Sequence, residues 1–472
     1  MRHQAFGTGK WVFVDWMGIE PGYGTPWPGT TPPAAGRAPN EPFAGYCVPR
    51  GVELRAHTPD VEPECVIAID QPWEAGMAAY ATFLADGGRF RCWYEHGSGT
   101  GYAESTDGIH WTKPVLRLRE VNGSTENNLL EIGTCGGGIF VDPTAPPAER
   151  YKLVGCHWAP TERAVTGAVS PDGVRWTPLP EWVLPRQHAD TDNTCAYDAE
   201  LGAYVLYTRQ RDGAMQRRGI NRSVSADFRH FPESEPIVVN SPLDPPDLDF
   251  YGNGYSRWPG AVNAHVMRMT VFRHTRDNVA VHLATSRDGK IWNRPMGQTP
   301  WIGGGASYPD PYPSVYACGG ILATGQGEWS TYVGVGHQAH NEPAECQRGK
   351  VGILRARLRE DGFMSLSSDG RGEFWTIPFI LNSDAILLNV KTRYAGFVRA
   401  ALLTSSGGDT GAETTDNTAL AAFSLEQSIP VTGDHIDAPL AWRTGSDLRA
   451  LRGRTVRLHL DLYKADLYAI RF

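Results

Sequence analysis

The chain has 472 residues, more than one ordinary hydrophobic core can organise, so one large repeat-built domain and a smaller one are expected. A formal net charge of −8 and the lack of any Lys/Arg run exclude the basic face that nucleic acid requires of a partner. No apolar run approaches the ~20 residues of a membrane span and the first residues lack the apolar core of a secretory signal, which predicts a cytoplasmic chain with no membrane partner.

Glycine (53) and proline (35) interrupt the sequence before any sustained 3.6-residue apolar period can develop, so the predicted class is all-β. The eight cysteines stand singly, without the paired spacing of a zinc site or a disulfide framework, and read as reduced core thiols. No metal and no cofactor is expected. The 15 Trp and 18 Tyr supply flat amphipathic rings, which fill β-cores and also offer faces on which sugar rings stack.

In chain order, residues 1–60 read as an arm. Its segment 21–50 is too rich in Pro and Gly for regular structure, and Tyr23, Trp27, Phe43 and Tyr46 could anchor it as a wrap. Residues 61–373 carry a repeat: Ser105-Thr106-Asp107-Gly108-Ile109-His110-Trp111, Ser170-Pro171-Asp172-Gly173-Val174-Arg175-Trp176 and Ser286-Arg287-Asp288-Gly289-Lys290-Ile291-Trp292. A degenerate copy runs from Ser225 to Phe231, and the starting serines lie 65, 55 and 61 residues apart, the size of a four-stranded propeller blade. The motif is a turn: Ser and Asp bond the backbone, Gly accepts positive φ, and the aromatic residue packs back.

Candidate inner strands at Met77 to Leu84, Gly138 to Val141, Thr194 to Tyr197, Gly254 to Trp258 and Tyr312 to Ala317 predict five blades. The fifth keeps only a worn turn, Arg359-Glu360-Asp361-Gly362-Phe363. Residues 374–472 alternate in short stretches, Ala385 to Lys391, Phe397 to Leu403, Thr455 to Leu462 and Leu467 to Phe472, which predicts a β-sandwich. The expected architecture is thus a five-bladed β-propeller followed by a C-terminal β-sandwich.

In a propeller, groups just ahead of each inner strand converge on a central funnel. Those groups include Trp73-Glu74, Asn127-Asn128, Asp190-Thr191-Asp192-Asn193, Asp247 to Tyr251, and Tyr308-Pro309-Asp310. Cleaving a glycosidic bond takes two carboxyl groups, one protonated and one ionised, and clustering drives their pKa values apart. The expected catalytic set is Glu74 as base or nucleophile, Asp190 as proton donor and Asp310 tuning the pair, with Asp249 an alternative for that last task. Trp73, Asn128, Asn193, Asp249, Tyr251 and His340 are the expected substrate-binding residues. Asp142 and Asp198 follow their strands and read as turn residues. His337 and His340 lie in a loop-like run that lacks a zinc signature.

The repeated turns, the funnel acids and the trailing sandwich resemble the five-bladed glycoside hydrolases, that is, the invertase and levanase family and its arabinanase-like relatives (families 32 and 43). Gln71-Pro72-Trp73-Glu74, Tyr102-Ala103-Glu104-Ser105, Asn122-Gly123-Ser124 with Asn127-Asn128, Asp249-Phe250-Tyr251-Gly252 and Lys464-Ala465-Asp466-Leu467-Tyr468 are similar to a bacterial branch near family 32, over nearly the whole chain from residue 60. The family's Trp-Met-Asn-Asp-Pro-Asn-Gly motif has only Trp16-Met17-Gly18-Ile19-Glu20-Pro21-Gly22 as a counterpart, ahead of the first blade. Its Arg-Asp-Pro and Glu-Cys motifs have only Val141-Asp142-Pro143 and Glu64-Cys65. The resemblance implies a glycoside hydrolase of carbohydrate metabolism, with a furanosidic bond among the candidates, a carbohydrate as partner, and a homo-oligomer within its range. Two other readings make different demands. A glycoside phosphorylase should show an Arg/His cluster in the funnel, and a non-catalytic sugar-binding propeller should show funnel acids paired with Arg or Lys.

Overall fold

The computed structural model describes residues 6–20, 49–132, 135–159, 162–190, 192–211, 217–261, 263–303, 312–342, 351–404, 420–445 and 447–472. The protein is all-β. Among the described residues, helix is confined to single turns such as Pro147–Glu149 and Leu448–Leu451. No helix among them is long and apolar enough to cross a membrane.

The chain divides into two compact units, one of residues 58–257 and 265–359, the other of 1–57, 258–264 and 360–472. The first unit is a succession of antiparallel meanders. Ala79–Asp86, Arg89–His96 and Gly99–Ser105 form the first, and Cys135–Val141, Tyr151–Trp158 and Arg163–Ser170 form the second. Thr194–Asp198, Ala203–Arg211, Arg218–Ser225 and Glu235–Val238 form the third. The fourth begins with Leu248–Gly252 and Tyr255–Arg257, both paired with His265–Arg273, and continues to Asn278–Ser286. The fifth runs Ser314–Ala317, Glu328–Gly336, Gly352–Arg359, and takes its last strand from Asp60–Ala68, far earlier in the chain.

Alternation explains the packing of neighbouring meanders, because successive side chains of a strand point to opposite faces. In Ala203–Arg211, Tyr204 and Leu206 join a core with Phe140 and Val154 of the second meander. Val205 and Tyr207, on the other face, join Phe250, Met267 and Met269 of the fourth. Hydrogen bonds also tie neighbouring meanders in sequence. Ile139 N donates to Thr82 Oγ1 (3.3 Å), Gly138 N to Asn193 O (2.7 Å), Gly254 N to Asp192 Oδ2 (2.7 Å) and Ala317 N to Thr270 Oγ1 (3.2 Å). The fifth returns to the first through Gly319 N and Ala81 O (2.7 Å).

The repeated turns form as their chemistry requires. In the first copy Gly108 N donates to Ser105 Oγ (2.8 Å), and Ile109 N and His110 N both donate to Asp107 Oδ1 (2.8 Å). The glycine carbonyl then receives an aromatic donor from another meander: Tyr332 OH at Gly108 (2.6 Å), Trp93 Nε1 at Gly173 (2.7 Å) and Tyr207 OH at Gly289 (2.9 Å). These glycines have φ of +74°, +77° and +69°, and a Cβ on Gly173 would lie 2.8 Å from the Trp93 ring, so the repeat locks meanders together.

In the second unit, Leu387–Thr404 and Thr455–Arg471 pair along their length, and Met364–Trp375 flanks the latter. The four short stretches expected here are two long strands, bent where the register shifts between Thr392 and Phe397. Where the sequence reading sets the boundary at 373/374, Met364–Trp375 belongs wholly to this unit, because Leu366 and Phe374 enter its core beside Leu402, Leu458 and Leu460. The described part of the arm lies here too, with Lys10–Val12 paired to Ala469, Ile470 and Arg471, while residues 21–48 lie outside the described residues. Asp361 of the worn fifth turn is a buried hub that accepts from Lys10 Nζ (2.7 Å), Trp258 Nε1 (3.0 Å) and Asn389 Nδ2 (3.1 Å).

Candidate functional site

The described candidate residues fall into two networks. The first holds Trp73, Glu74 and Asn128. Trp73 Nε1 donates to Asn128 Oδ1 (2.9 Å), Asn128 Nδ2 donates to the Tyr94 hydroxyl (2.7 Å), and that hydroxyl donates to Glu74 Oε1 (2.6 Å). Glu74 Oε2 receives Lys113 Nζ (2.8 Å) and the backbone N–H groups of Asp70 and Gln71 (3.0 and 3.1 Å). The Glu74 side chain is 0 % exposed. Both oxygens are occupied and neither meets solvent, so Glu74 organises this corner and is not placed as the base or nucleophile expected of it. Burial beside this carboxylate drives the Tyr94 hydroxyl far above its ordinary pKa.

The second network gathers Asp190, Asp249, Tyr251 and His340 around an arginine cluster, and period-2 alternation positions most of it. The face of Ala203–Arg211 that carries Val205 and Tyr207 into the core continues with Arg209 and Arg211. In Leu248–Gly252, Leu248 and Phe250 enter the core, leaving Asp249 and Tyr251 on the opposite face. Arg209 Nη2 binds Asp190 Oδ2 at short range, and its guanidinium carbon lies 4.6 Å from the Tyr251 ring centre. Arg218 approaches the same ring at 5.0 Å while donating to Asp249 Oδ2 (2.6 Å), where His274 Nε2 also bonds (2.9 Å). Tyr251 is thus flanked by two cations, a geometry that favours the negative face of the ring.

His340 Nδ1 shares a hydrogen bond with Tyr316 OH (2.6 Å), and its ring meets Tyr251 edge-on at 5.0 Å. Burial, then the positive field of Arg218, lowers its pKa to about 4, so it is neutral near pH 7. Asn193 is fully buried, accepting from Thr208 Oγ1 (2.6 Å) while its carbonyl accepts from Gly138, so it joins two meanders from beneath the cluster. Asp310 lies outside the described residues.

The sequence reading passed over several members. Asp192 sits two residues from Asp190 with φ of +61°, a backbone turn that alternation in an extended run does not anticipate. Its Oδ2 accepts from Gly254 N, the Asn253 backbone N–H is a second donor to the same carboxyl, and the residue keeps 8 % exposure. Burial raises its pKa, which favours the protonated form. His188 shares a hydrogen bond with Arg163 (2.8 Å) and is lowered by burial and then by that guanidinium. Arg211 has no hydrogen-bond or ion-pair partner among the described residues, and burial, then the fields of Arg218 and Arg209, lower its pKa. The one available signal was Arg209-Gln210-Arg211, alternating cations at the end of an apolar strand.

Asp190 and Asp249 are each paired with arginine, the feature demanded by a non-catalytic sugar-binding reading. The Arg/His cluster demanded by a phosphorylase is also present. Asp192, by contrast, is a carboxyl group with neither Arg nor Lys bonded to it among the described residues. A surface cavity of about 500 Å³ in the other unit, lined by Thr392, Tyr394, Phe397 and Pro430 among others, contains no carboxyl group and no imidazole.

No family model matches the sequence, and no curated protein does. Solved structures similar to the chain include an N-acetylgalactosamine deacetylase from F. plautii in complex with blood group B trisaccharide, at 14 % identity over 66 % of this chain and 96 % of that one, TM-score 0.46. A thermostable family-43 glycoside hydrolase matches at 11 % identity over 63 % and 95 %, TM-score 0.44. A β-1,2-mannobiose phosphorylase from Listeria innocua matches at 12 % identity over 66 % and 98 %, TM-score 0.43. At these values the reading of the site rests on its own residues.

Proposed function

We propose that the protein is a glycoside hydrolase whose five meanders close as a five-bladed propeller, with residues 360–472 as the trailing β-sandwich, and that Asp192 and Asp190 cleave the glycosidic bond. The observation that carries this reading is the contrast between two carboxyl groups two residues apart. Asp192 is buried and its pKa is raised by that burial, whereas Asp190 is part-exposed and ion-paired with Arg209. Such opposed environments separate an acid from a base in one site. Asp192 donates its proton to the leaving oxygen, and Asp190 serves the opposite face of the sugar as base or nucleophile. The neutral His340 supplies a hydrogen-bonding edge of a sugar pocket. The expected roles shift by two residues, Asp190 from donor to base and Asp192 to donor.

The test is a panel of aryl glycosides and oligosaccharides assayed with wild type, Asp192→Asn and Asp190→Asn, with binding titrated separately. Loss of turnover with retained binding in both variants is the expected result. Wild-type turnover in Asp192→Asn would remove the assignment. Binding without turnover by wild type across the panel would favour the non-catalytic reading.

A further inference from the structure

Arg209 is 3 % exposed, and its Nη1 is buried without a hydrogen-bond partner among the described residues. A guanidinium presents five donors in a fixed fork, and leaving one dry and unpaired is costly unless something else meets it. Nη2 is taken by Asp190 and the flat face by Tyr251, so the spare edge is Nη1. Arg211, on the same face of the strand, is half-buried and also has an unpartnered buried Nε. Arg211 lies in the fields of Arg218, Arg209 and Arg163, with Asp249 opposing them in part. Asp249 offers Arg211 no direct bond, since Arg218 and His274 bond its Oδ2. The arrangement stores positive charge and unspent donors beside the two proposed catalytic carboxyl groups.

We propose that Arg209 and Arg211 form an oxyanion site, taking either the carboxylate of an acidic sugar in the substrate or free inorganic phosphate. Forked guanidinium donors match the paired oxygens of both groups. The inference rests on the assignment of Asp192 above: an acidic sugar keeps the hydrolase reading and names its substrate chemistry, whereas phosphate replaces it with phosphorolysis. With an acidic sugar, the carboxylate anchors the ring while water takes the glycosyl group. With phosphate, a phosphate oxygen bonds the anomeric carbon as its bond to the leaving oxygen breaks, Asp192 passes its proton to that oxygen, and a sugar 1-phosphate results.

The experiment is calorimetric titration of the full chain with potassium phosphate, with sodium galacturonate and with galactose, at matched ionic strength. One of the two oxyanions should bind and galactose should not. Arg211→Gln should weaken that binding about tenfold or more, and Arg211→Lys should recover part of the loss. Melting curves of each variant separate this from unfolding. Binding of phosphate should accompany release of sugar phosphate from an oligosaccharide, and binding of galacturonate should accompany cleavage of acidic glycans. Failure of both oxyanions to bind a folded wild type, or equal binding by Arg211→Gln, would overturn the proposal. Oxyanion binding together with undiminished cleavage by Asp192→Asn would leave this site standing and remove the catalytic assignment instead.

Discussion

Glu74 and Asp190 each stand a few residues ahead of the first strand of a meander, and each carries an ion pair, yet their surroundings differ. Around Glu74 every acceptor position is filled by Lys113, Tyr94 or a backbone N–H, and the side chain is sealed. Around Asp190, among the described residues, the partner Arg209 keeps an unspent donor and the Arg211 side chain beside it has no partner. A closed network of this kind stabilises a fold, and an open one waits for a ligand. An ion pair alone therefore does not tell a structural acid from a functional one; the unsatisfied groups around it do.

The sharpest way to break the comparison is to remove one acid from each network. Asp192→Asn should lower kcat by about 10²–10⁴-fold, the range for loss of a general acid, with little change in melting temperature. Glu74 and Lys113 should respond in the opposite manner. Lys113→Met leaves a buried carboxylate without its cation, which should cost about 3–5 kcal/mol of stability in chemical denaturation. The double change Lys113→Met with Glu74→Gln should recover most of that loss. If Lys113→Met instead spares stability and abolishes turnover, the division between the two networks fails.

Local chemistry was legible in the sequence and distant partnership was not. The repeated turns are set by residues within a few positions of one another, so Ser105, Asp107 and Gly108 could be read directly, as could strands such as Tyr151–Trp158. Pairing of Asp60–Ala68 with Gly352–Arg359 joins segments nearly three hundred residues apart, and no local pattern announces it. Glu74 and Asp190 were legible as acids ahead of strands, but Lys113 and Arg209, which decide what those acids can do, arrive from other strands and loops. Asp192 is not legible in the polar run ahead of its strand, because its left-handed backbone turns the carboxyl toward Gly254, a partner 62 residues later in the chain.

The repeat turns offer a middle-sized perturbation that should touch both networks equally. Gly173→Ala places a Cβ against Trp93 at φ of +77°, and about 1–3 kcal/mol of stability should be lost, with KM and kcat unchanged in the folded fraction. A change in kcat at constant folded fraction would mean that this turn also shapes the site.

The smallest effect is a pH dependence whose sign separates His340 from Asp192. His340 titrates near pH 4 when folded, below its ordinary value of about 6.5, so between those values the unfolded chain binds the proton and the folded one does not. Stability from this group is therefore complete above about pH 6.5 and is lost as pH falls toward 4. Asp192 acts in the opposite direction: its folded pKa is raised, so the folded state holds a proton the unfolded state has lost, and its contribution weakens as pH rises through that interval. His340 is partly solvated, which trims its slope below the limit of about 1.4 kcal/mol per pH unit, and the buried His265 and His282, also near 4, add slopes of the same sign. Comparing His340→Asn with wild type isolates the single group, since both variants keep the other histidines. Wild type should lose about 1 kcal/mol more than His340→Asn between pH 6.5 and 5, measured by urea unfolding. Parallel curves would show that folded His340 keeps its ordinary pKa of about 6.5, so that the imidazole assigned to the sugar pocket is a cation below that pH and not a neutral ring down to about pH 4.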